Sequence, residues 1–302
     1  MQRSRRWWEG LVVATAFVAC AKGGETGTGP PPPPPPPVSA VECNTPQPGW
    51  IWCDDFEQDR LNQYFEYNNA GSGFVRAAGV GVSRSYGMRA RFAVGQVDGG
   101  WLHLAMGKVP SGLRPVDAGT ALYRDLYWRL YVRNQPGWVG GGGYKLTRAI
   151  SLATAGWAEA MTAQVWGDPP ATGYLYLDPA SGTDLAGNIV TTRYNDFANL
   201  RWLGAKAGVT SLFDASHVGR WYCVEMHALL NDAGQANGVF EYWINGALEA
   251  RETGLNWLGA FNSYGINAVF LENYWNGGSP ASQERYVDNV VVSTQRVGCL
   301  SP

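Results

Sequence analysis

Hydrophobic and polar positions alternate with a period of two along much of this chain. That pattern predicts strands whose side chains point to opposite faces. In residues 121–134 one face carries Leu122, Leu126, Trp128, Leu130 and Val132, interrupted by Arg124. The other carries Tyr123, Asp125, Tyr127, Arg129, Tyr131 and Arg133. Residues 144–152 place Lys145 and Thr147 on one side, and Leu146, Arg148, Ile150 and Leu152 on the other. Residues 160–166 set Thr162, Gln164 and Trp166 against Met161, Ala163 and Val165. Residues 173–178 set Tyr174, Tyr176 and Asp178 against Leu175 and Leu177. Earlier, Trp101 and His103 share a face opposite Leu102, Leu104 and Met106. Later strands are expected at 220–227, 240–244 and 286–293, and Asn245-Gly246 between apolar runs predicts a hairpin. The segments are short and separated by Gly, Asn, Asp and Pro, and no helical period lasts beyond two turns. The expected fold is an all-β sandwich.

The polar faces of 121–178 carry the candidate chemistry. A strand facing only water normally shows Ser, Thr, Lys and Glu there, so an amphipathic sheet with a decorated surface is the plainer alternative. Here the residues are Tyr, Trp, Arg, Lys and Gln. Aromatic faces stack on the C–H surface of a sugar ring, and a guanidinium grips a carboxylate through two hydrogen bonds. If the four strands share one sheet, that face is a floor for a polysaccharide. Its binding residues are then Trp101, His103, Tyr127, Arg129, Tyr131, Thr162 and Trp166.

The amino terminus reads as an address. Arg3, Arg5 and Arg6 precede an apolar stretch at 11–19 that is too short to span a bilayer. It ends Phe17-Val18-Ala19-Cys20, which resembles a bacterial lipobox with Phe where Leu is usual. Cys20 is therefore the expected lipidation site. A plain signal peptide cleaved near Ala19 or Ala21 is the alternative, and Ser4-Arg5-Arg6 fits a twin-arginine signal poorly. Eight prolines at 30–37 predict a stiff polyproline spacer about 25 Å long. The expected organisation is a signal peptide at 1–20, a disordered Pro-rich linker at 21–40 and one domain at 41–302. The protein is expected in the cell envelope, as an outer-membrane-anchored lipoprotein, or outside the cell, and as a monomer.

Charged residues make up 16% of the chain, against roughly 25% in an average protein. Residues 1–37 contain Arg3, Arg5, Arg6, Lys22, Glu9 and Glu25; without them 19 basic and 23 acidic residues remain, a formal charge of −4. That balance argues against nucleic acid as a partner, and an anionic ligand needs a local basic patch. With Cys20 assigned to lipid, Cys43, Cys53, Cys223 and Cys299 remain, an even number that implies disulfides in an exported protein. Of three connectivities, Cys43–Cys53 with Cys223–Cys299 is favoured. No CxxC or HxxxH spacing suggests zinc. No Gly-x-Ser-x-Gly elbow suggests a serine nucleophile, and no Glu-x-Asp-x-x-Glu strand suggests a glucanase.

The ordered set DDFE (54–57), YWRLYVR (127–133), GGYKLTR (142–148), GRWYCVEMHALLN (219–231), FEYWINGAL (240–248) and YVDNVVVST (286–294) resembles the concanavalin A-like jelly rolls. The nearest likeness is to polysaccharide lyases of the alginate and glucuronan type. The resemblance implies a single jelly-roll domain and β-elimination on a uronate polymer. It implies catalytic roles for Lys145, for Tyr174 and Tyr176, and for Gln164, which stands where the pattern has Arg, with Arg129 as a stand-in cation. A non-catalytic carbohydrate-binding module and a laminin-G-like adhesion domain are the alternatives on this fold. Terminal strands lying side by side would bring Asp55 or Glu57 near Asp288, a candidate structural Ca²⁺ site.

Overall fold

The computed structural model describes residues 37–140, 144–167 and 173–300. The expected signal peptide, Cys20, most of the proline run and the glycines at 142–143 lie outside the described residues. Residues 35–302 form one compact unit. Val38 is already buried, packed with Val82, Tyr131 and Cys223.

Two eight-stranded antiparallel sheets form the sandwich. The back sheet contains β1 (Trp50–Asp54), β3 (Phe74–Ala77), β4 (Gly87–Phe92), β6 (Asp125–Asn134), β12 (Tyr222–Leu229), β13 (Gly238–Ile244), β14 (Ala247–Leu255) and β16 (Gln283–Ser293). Its order is β14-β13-β12-β6-β16-β4-β3, with β1 also on β16. The front sheet contains β2 (Glu66–Asn68), β5 (Asp98–Ala105), β7 (Tyr144–Leu152), β8 (Glu159–Gly167), β9 (Tyr174–Ser181), β10 (Arg201–Trp202), β11 (Lys206–Ser211) and β15 (Ala268–Trp275). Its order is β10-β9-β8-β7-β15-β5-β2, with β11 also on β9. The expected jelly-roll sandwich and the β13–β14 hairpin are both present, with Asn245 and Gly246 at φ +50° and +84° in the turn.

The inward faces make the core. Trp128, Leu130, Met226 and Phe240 from the back sheet meet Leu146, Ala149, Met161, Val165 and Leu271 from the front. Two polar contacts pin the layers: Trp128 Nε1 donates to Thr147 Oγ1 (3.1 Å), and the Tyr242 hydroxyl donates to Leu175 O (2.7 Å). Cys43–Cys53 and Cys223–Cys299 are the disulfides, as expected, and they fit an oxidising compartment. The second closes a loop with a sequence separation of 76 residues.

One expectation fails here. The strands of 121–178 do not share a sheet. The alternation in β6 is correct, but β6 pairs with β12 and β16 in the back sheet, while β7, β8 and β9 adjoin in the front sheet. The chain crosses the sandwich between β6 and β7. Tyr127, Arg129 and Tyr131 therefore lie on the outside of the back sheet. Arg129 is 1% exposed and fastens the amino-terminal segment, with Nη1 and Nη2 on Glu42 at 3.0 and 2.5 Å. Tyr131 OH donates to Leu300 O and accepts from Leu300 N, both at 2.9 Å. Tyr127 stacks on His227 with ring centroids 4.1 Å apart, and His227 in turn meets Asp125 and Glu241 at 2.8 Å each. These three residues secure chain ends and surface pairs, and none faces the front-sheet groove.

Candidate functional site

The outward face of the front sheet gathers most of the remaining chemistry. A bulge in β7 decides how. Its register against β8 shifts between Lys145 and Thr147, so Leu146 and Thr147 both turn to the core. Strict alternation would bury Arg148 with Leu146. Instead Lys145 and Arg148 share the outer face, a correction to the expected pattern. Ile150 and Leu152 also lie outside, in a covered cluster with Ala268 and Phe270.

Register then builds two rows across the strands. In one, Glu66, His103, Phe270, Arg148, Gln164 and Asp178 stand opposite one another from β2 to β9. In the other, Tyr274, Lys145, Trp166 and Tyr176 do so. Arg148 Nη1 reaches Gln164 Oε1 at 3.4 Å and Asn195 Oδ1 at 2.7 Å, and its Nη2 reaches Glu272 Oε1 at 2.5 Å. Lys145 Nζ donates to Asn195 Oδ1 (3.3 Å) and lies 4.0 Å from Glu272 Oε1. It also sits 5.1, 5.6 and 5.8 Å from the ring centres of Tyr274, Phe197 and Trp166.

The segment between β9 and β10 covers this floor. The Asp196 carboxylate gathers Thr192 N, Thr192 Oγ1 and Asn199 Nδ2 into a tight turn. Asn195, at φ +59°, hands its N–H to Glu159 Oε1 (3.1 Å) and its side chain to the two cations. Thr191 brackets the Glu159 backbone, donating to its O and accepting from its N. A cleft of about 510 Å³ is left open between this segment and the sheet, bounded among others by Trp101, Lys145, Tyr194, Asn195, Glu272 and Tyr274.

Burial governs the charges. It pushes Lys145 down to about 8, with Arg148 adding to the effect. It pushes Glu159 up to about 7 against the pull of Arg148. Burial also works against Glu272, but Arg148 and Lys145 overcome it and hold that carboxyl below its usual range. The cleft wall therefore presents Lys145 and a firmly ionised Glu272, with the buried Arg148 guanidinium directly behind them.

Of the residues singled out from sequence, Lys145 and Trp101 line the cleft, Trp166 stands beside Lys145, and Gln164 and Thr162 lie buried further along the same face of β8. Gln164 Nε2 and Thr162 Oγ1 are buried without a hydrogen-bond partner. His103 is on the expected face but is 1% exposed, shut between Phe270 (3.5 Å) and Trp101 (5.7 Å), with Nδ1 2.6 Å from Glu66 Oε2. Burial holds it below the ordinary histidine value despite Glu66. Its packing is that of a structural ring. Tyr176 is half-buried opposite Trp166, which puts it two strands, roughly 10 Å, from the Lys145 backbone. Tyr174 is further along, opposite Ser211.

Reading the sequence missed Arg148, assigned to the wrong face, and Asn195, Glu272 and Tyr274. The last two lie on β15, an apolar-looking run whose place between β7 and β5 is set by long-range pairing. The signal that was available is the apolar run from Ala268 to Leu271 followed by a carboxylate at 272 and an aromatic at 274.

The candidate calcium ligands lie elsewhere. β1 does pair with β16. Asp288 Oδ2 accepts from Val82 N (2.7 Å), its Oδ1 from Asn289 N (2.8 Å), and Glu57 Oε1 accepts from Tyr86 N (2.7 Å). Among the described residues no group of three or more His, Cys, Asp or Glu side chains is arranged to hold a metal ion.

Neither a protein-family model nor a curated protein sequence matches the chain. Solved structures do match. The endo-β-1,4-glucuronan lyase of the fungus Trichoderma reesei superposes with a TM-score of 0.56 at 12% identity, over 82% of this chain and 96% of that one. An alginate lyase from a Chlorella virus gives 0.55 at 13% identity, over 81% and 99%. An alginate lyase from Aplysia kurodai gives 0.53 at 11% identity, over 82% and 99%. With two β-sheets in the same arrangement over nearly the whole of each neighbour, the chain has the jelly-roll fold on which these glucuronan and alginate lyases are built.

Proposed function

We propose that this protein is a polysaccharide lyase that cuts a uronate-containing polymer by β-elimination in the front-sheet cleft. The observation that carries this reading is the β7 bulge, which turns Lys145 into an open cleft beside Tyr274 and sets the buried Arg148 behind it on the same face. A uronate carboxylate bound to these cations loses its negative charge, which acidifies the C5 proton. Tyr274 stands opposite Lys145 across β7 and β15, with its ring centre 5.1 Å from the ammonium, and both line the cleft. It takes the C5 proton; the C5–H electron pair forms the C4=C5 double bond, the C4–O4 bond breaks, and O4 receives a proton from the tyrosine. Gln164 is buried and holds Arg148, which supplies from behind Lys145 the charge that an Arg at 164 would bring. The fold shared with glucuronan and alginate lyases supports this chemistry.

The test is absorbance of unsaturated uronate products across a panel of uronate polymers, with wild type, Lys145→Ala and Tyr274→Phe. Product from wild type and none from the variants supports the lyase. Polymer binding without product from wild type identifies a carbohydrate-binding module, a reading favoured by the Glu272 carboxylate that already shares both cations.

As part of the same reading, the protein acts at the cell envelope as a monomer, tethered through lipid on Cys20 with the proline run as spacer. Cys20→Ser then releases it from the membrane fraction or blocks its processing; unchanged detergent partitioning refutes the anchor.

A further inference from the structure

The groove does not stop at the cleft. Phe197 and Trp202 are 41% and 42% exposed and stacked, with ring centroids 6.0 Å apart and planes 28° apart. Phe197 lies 6.3 Å from Trp166, whose ring adjoins Lys145. A line of rings thus leads from the cationic cleft to the β10 edge of the front sheet. Exposing two large rings side by side in water is unfavourable unless something covers them.

The floor beside these rings carries Asp178. It stands opposite Gln164, and two residues along the same face of β9 is Ala180, opposite Trp202. Asp178 is half-buried, and burial pushes its carboxyl up to about 6. Among the described residues no donor meets this carboxylate. A carboxylate accepts hydrogen bonds from sugar hydroxyls but repels a second carboxylate. The two rings stack on the C–H face of a pyranose. The groove therefore changes along its length: Lys145 in the cleft, Phe197 on the margin between cleft and edge, and Trp202 with an acid at the edge.

We propose that Phe197, Trp202 and Asp178 form a subsite for an uncharged sugar, so that the substrate is a heteropolysaccharide in which a uronate is followed by a neutral residue. This rests on the lyase reading for the uronate end alone; the neutral subsite is tested by binding, without turnover.

Two probes separate the cases: a β-1,4-glucuronate homopolymer, and a polymer alternating glucuronate with N-acetylglucosamine. Affinities are measured by gel retardation for wild type, Trp202→Ala, Phe197→Ala and Asp178→Asn, each checked by circular dichroism. Wild type is expected to bind the alternating polymer about tenfold more tightly, the worth of stacked rings. Each Ala variant should bring that ratio toward one, and Asp178→Asn should raise affinity for the homopolymer several-fold. Equal wild-type affinities, or a ratio unmoved in both Ala variants, overturn the subsite. Product absorbance from the same polymers reports the elimination separately. Failure to form product leaves the binding ratio to decide the subsite.

Discussion

Arg148 and Gln164 face each other across β7 and β8, with Nη1 and Oε1 3.4 Å apart. On the proposed lyase reading, the charge that the sequence resemblance expects at 164 is carried instead by its β7 neighbour. The two positions share a face, so the cation is displaced by one strand, roughly 4.8 Å between strand axes, and is kept within the site.

The displacement can be tested by reversing it. Arg148→Gln should lower product formation by about a hundredfold or more, the usual cost of removing one preorganised charge donor. Gln164→Arg alone places two guanidinium groups in one buried spot and should destabilise the fold. The double variant Arg148→Gln/Gln164→Arg should recover part of the lost rate, measured as kcat on the polymer that wild type cleaves.

The back-sheet residues give the opposite expectation. Tyr127→Ala and Tyr131→Ala should leave polymer affinity unchanged, because both rings lie across the sandwich from the cleft. Tyr131→Ala should still lower Tm, since its hydroxyl makes two hydrogen bonds to Leu300. A tenfold loss of affinity in either variant would place the groove on the other sheet.

Thr147 is expected to matter for stability through its position between the sheets. Its hydroxyl donates to Phe270 O (2.8 Å) and accepts from Trp128 Nε1 (3.1 Å). Thr147→Val keeps the shape and strands the indole N–H in the core, at a cost of about 1–3 kcal/mol. Urea unfolding at constant m-value measures it.

Cys223→Ser/Cys299→Ser should cost about 4.5 kcal/mol on the chain-entropy account, because the released loop is long. Cys43→Ser/Cys53→Ser frees a separation of only 10 residues and should cost less, about 3 kcal/mol. Unfolding of the two double variants side by side ranks them.

Stability should fall as pH rises from 5 to 8. Burial raises Glu159 from 4.5 to about 7 and Asp288 from 3.8 to about 8. In those windows the folded protein holds protons that the unfolded chain has released, so each further rise in pH favours unfolding. Lys145, lowered from 10.5 to about 8, acts in the other direction only above pH 8, and His103, held below its ordinary 6.5, offsets part of the fall below pH 6.5. Glu159→Gln should flatten the slope of Tm between pH 5 and 7; an unchanged slope would mean that Glu159 does not titrate there.

Local alternation was enough to determine β5 to β9, β12, β13 and β16, the core faces of β6, β8 and β9, the hairpin at Asn245-Gly246, and the sandwich class. Lys145, Gln164, Trp166 and Tyr176 were legible on one face because side-chain direction in a strand is a property of neighbouring residues. Which sheet a strand joins is not local. The crossing after β6 carried Tyr127, Arg129 and Tyr131 to the far side, and only long-range pairing with β12 and β16 records it. The β7 bulge is a second such decision, because one extra residue reverses every later side chain and moved Arg148 from the apparent core into the cleft. Asn195, Glu272 and Tyr274 join the site only when β15 slots beside β7 and the segment after β9 folds over them. Those contacts form between residues about 50 to 130 positions apart, through backbone hydrogen bonds and packing that have no period in the sequence.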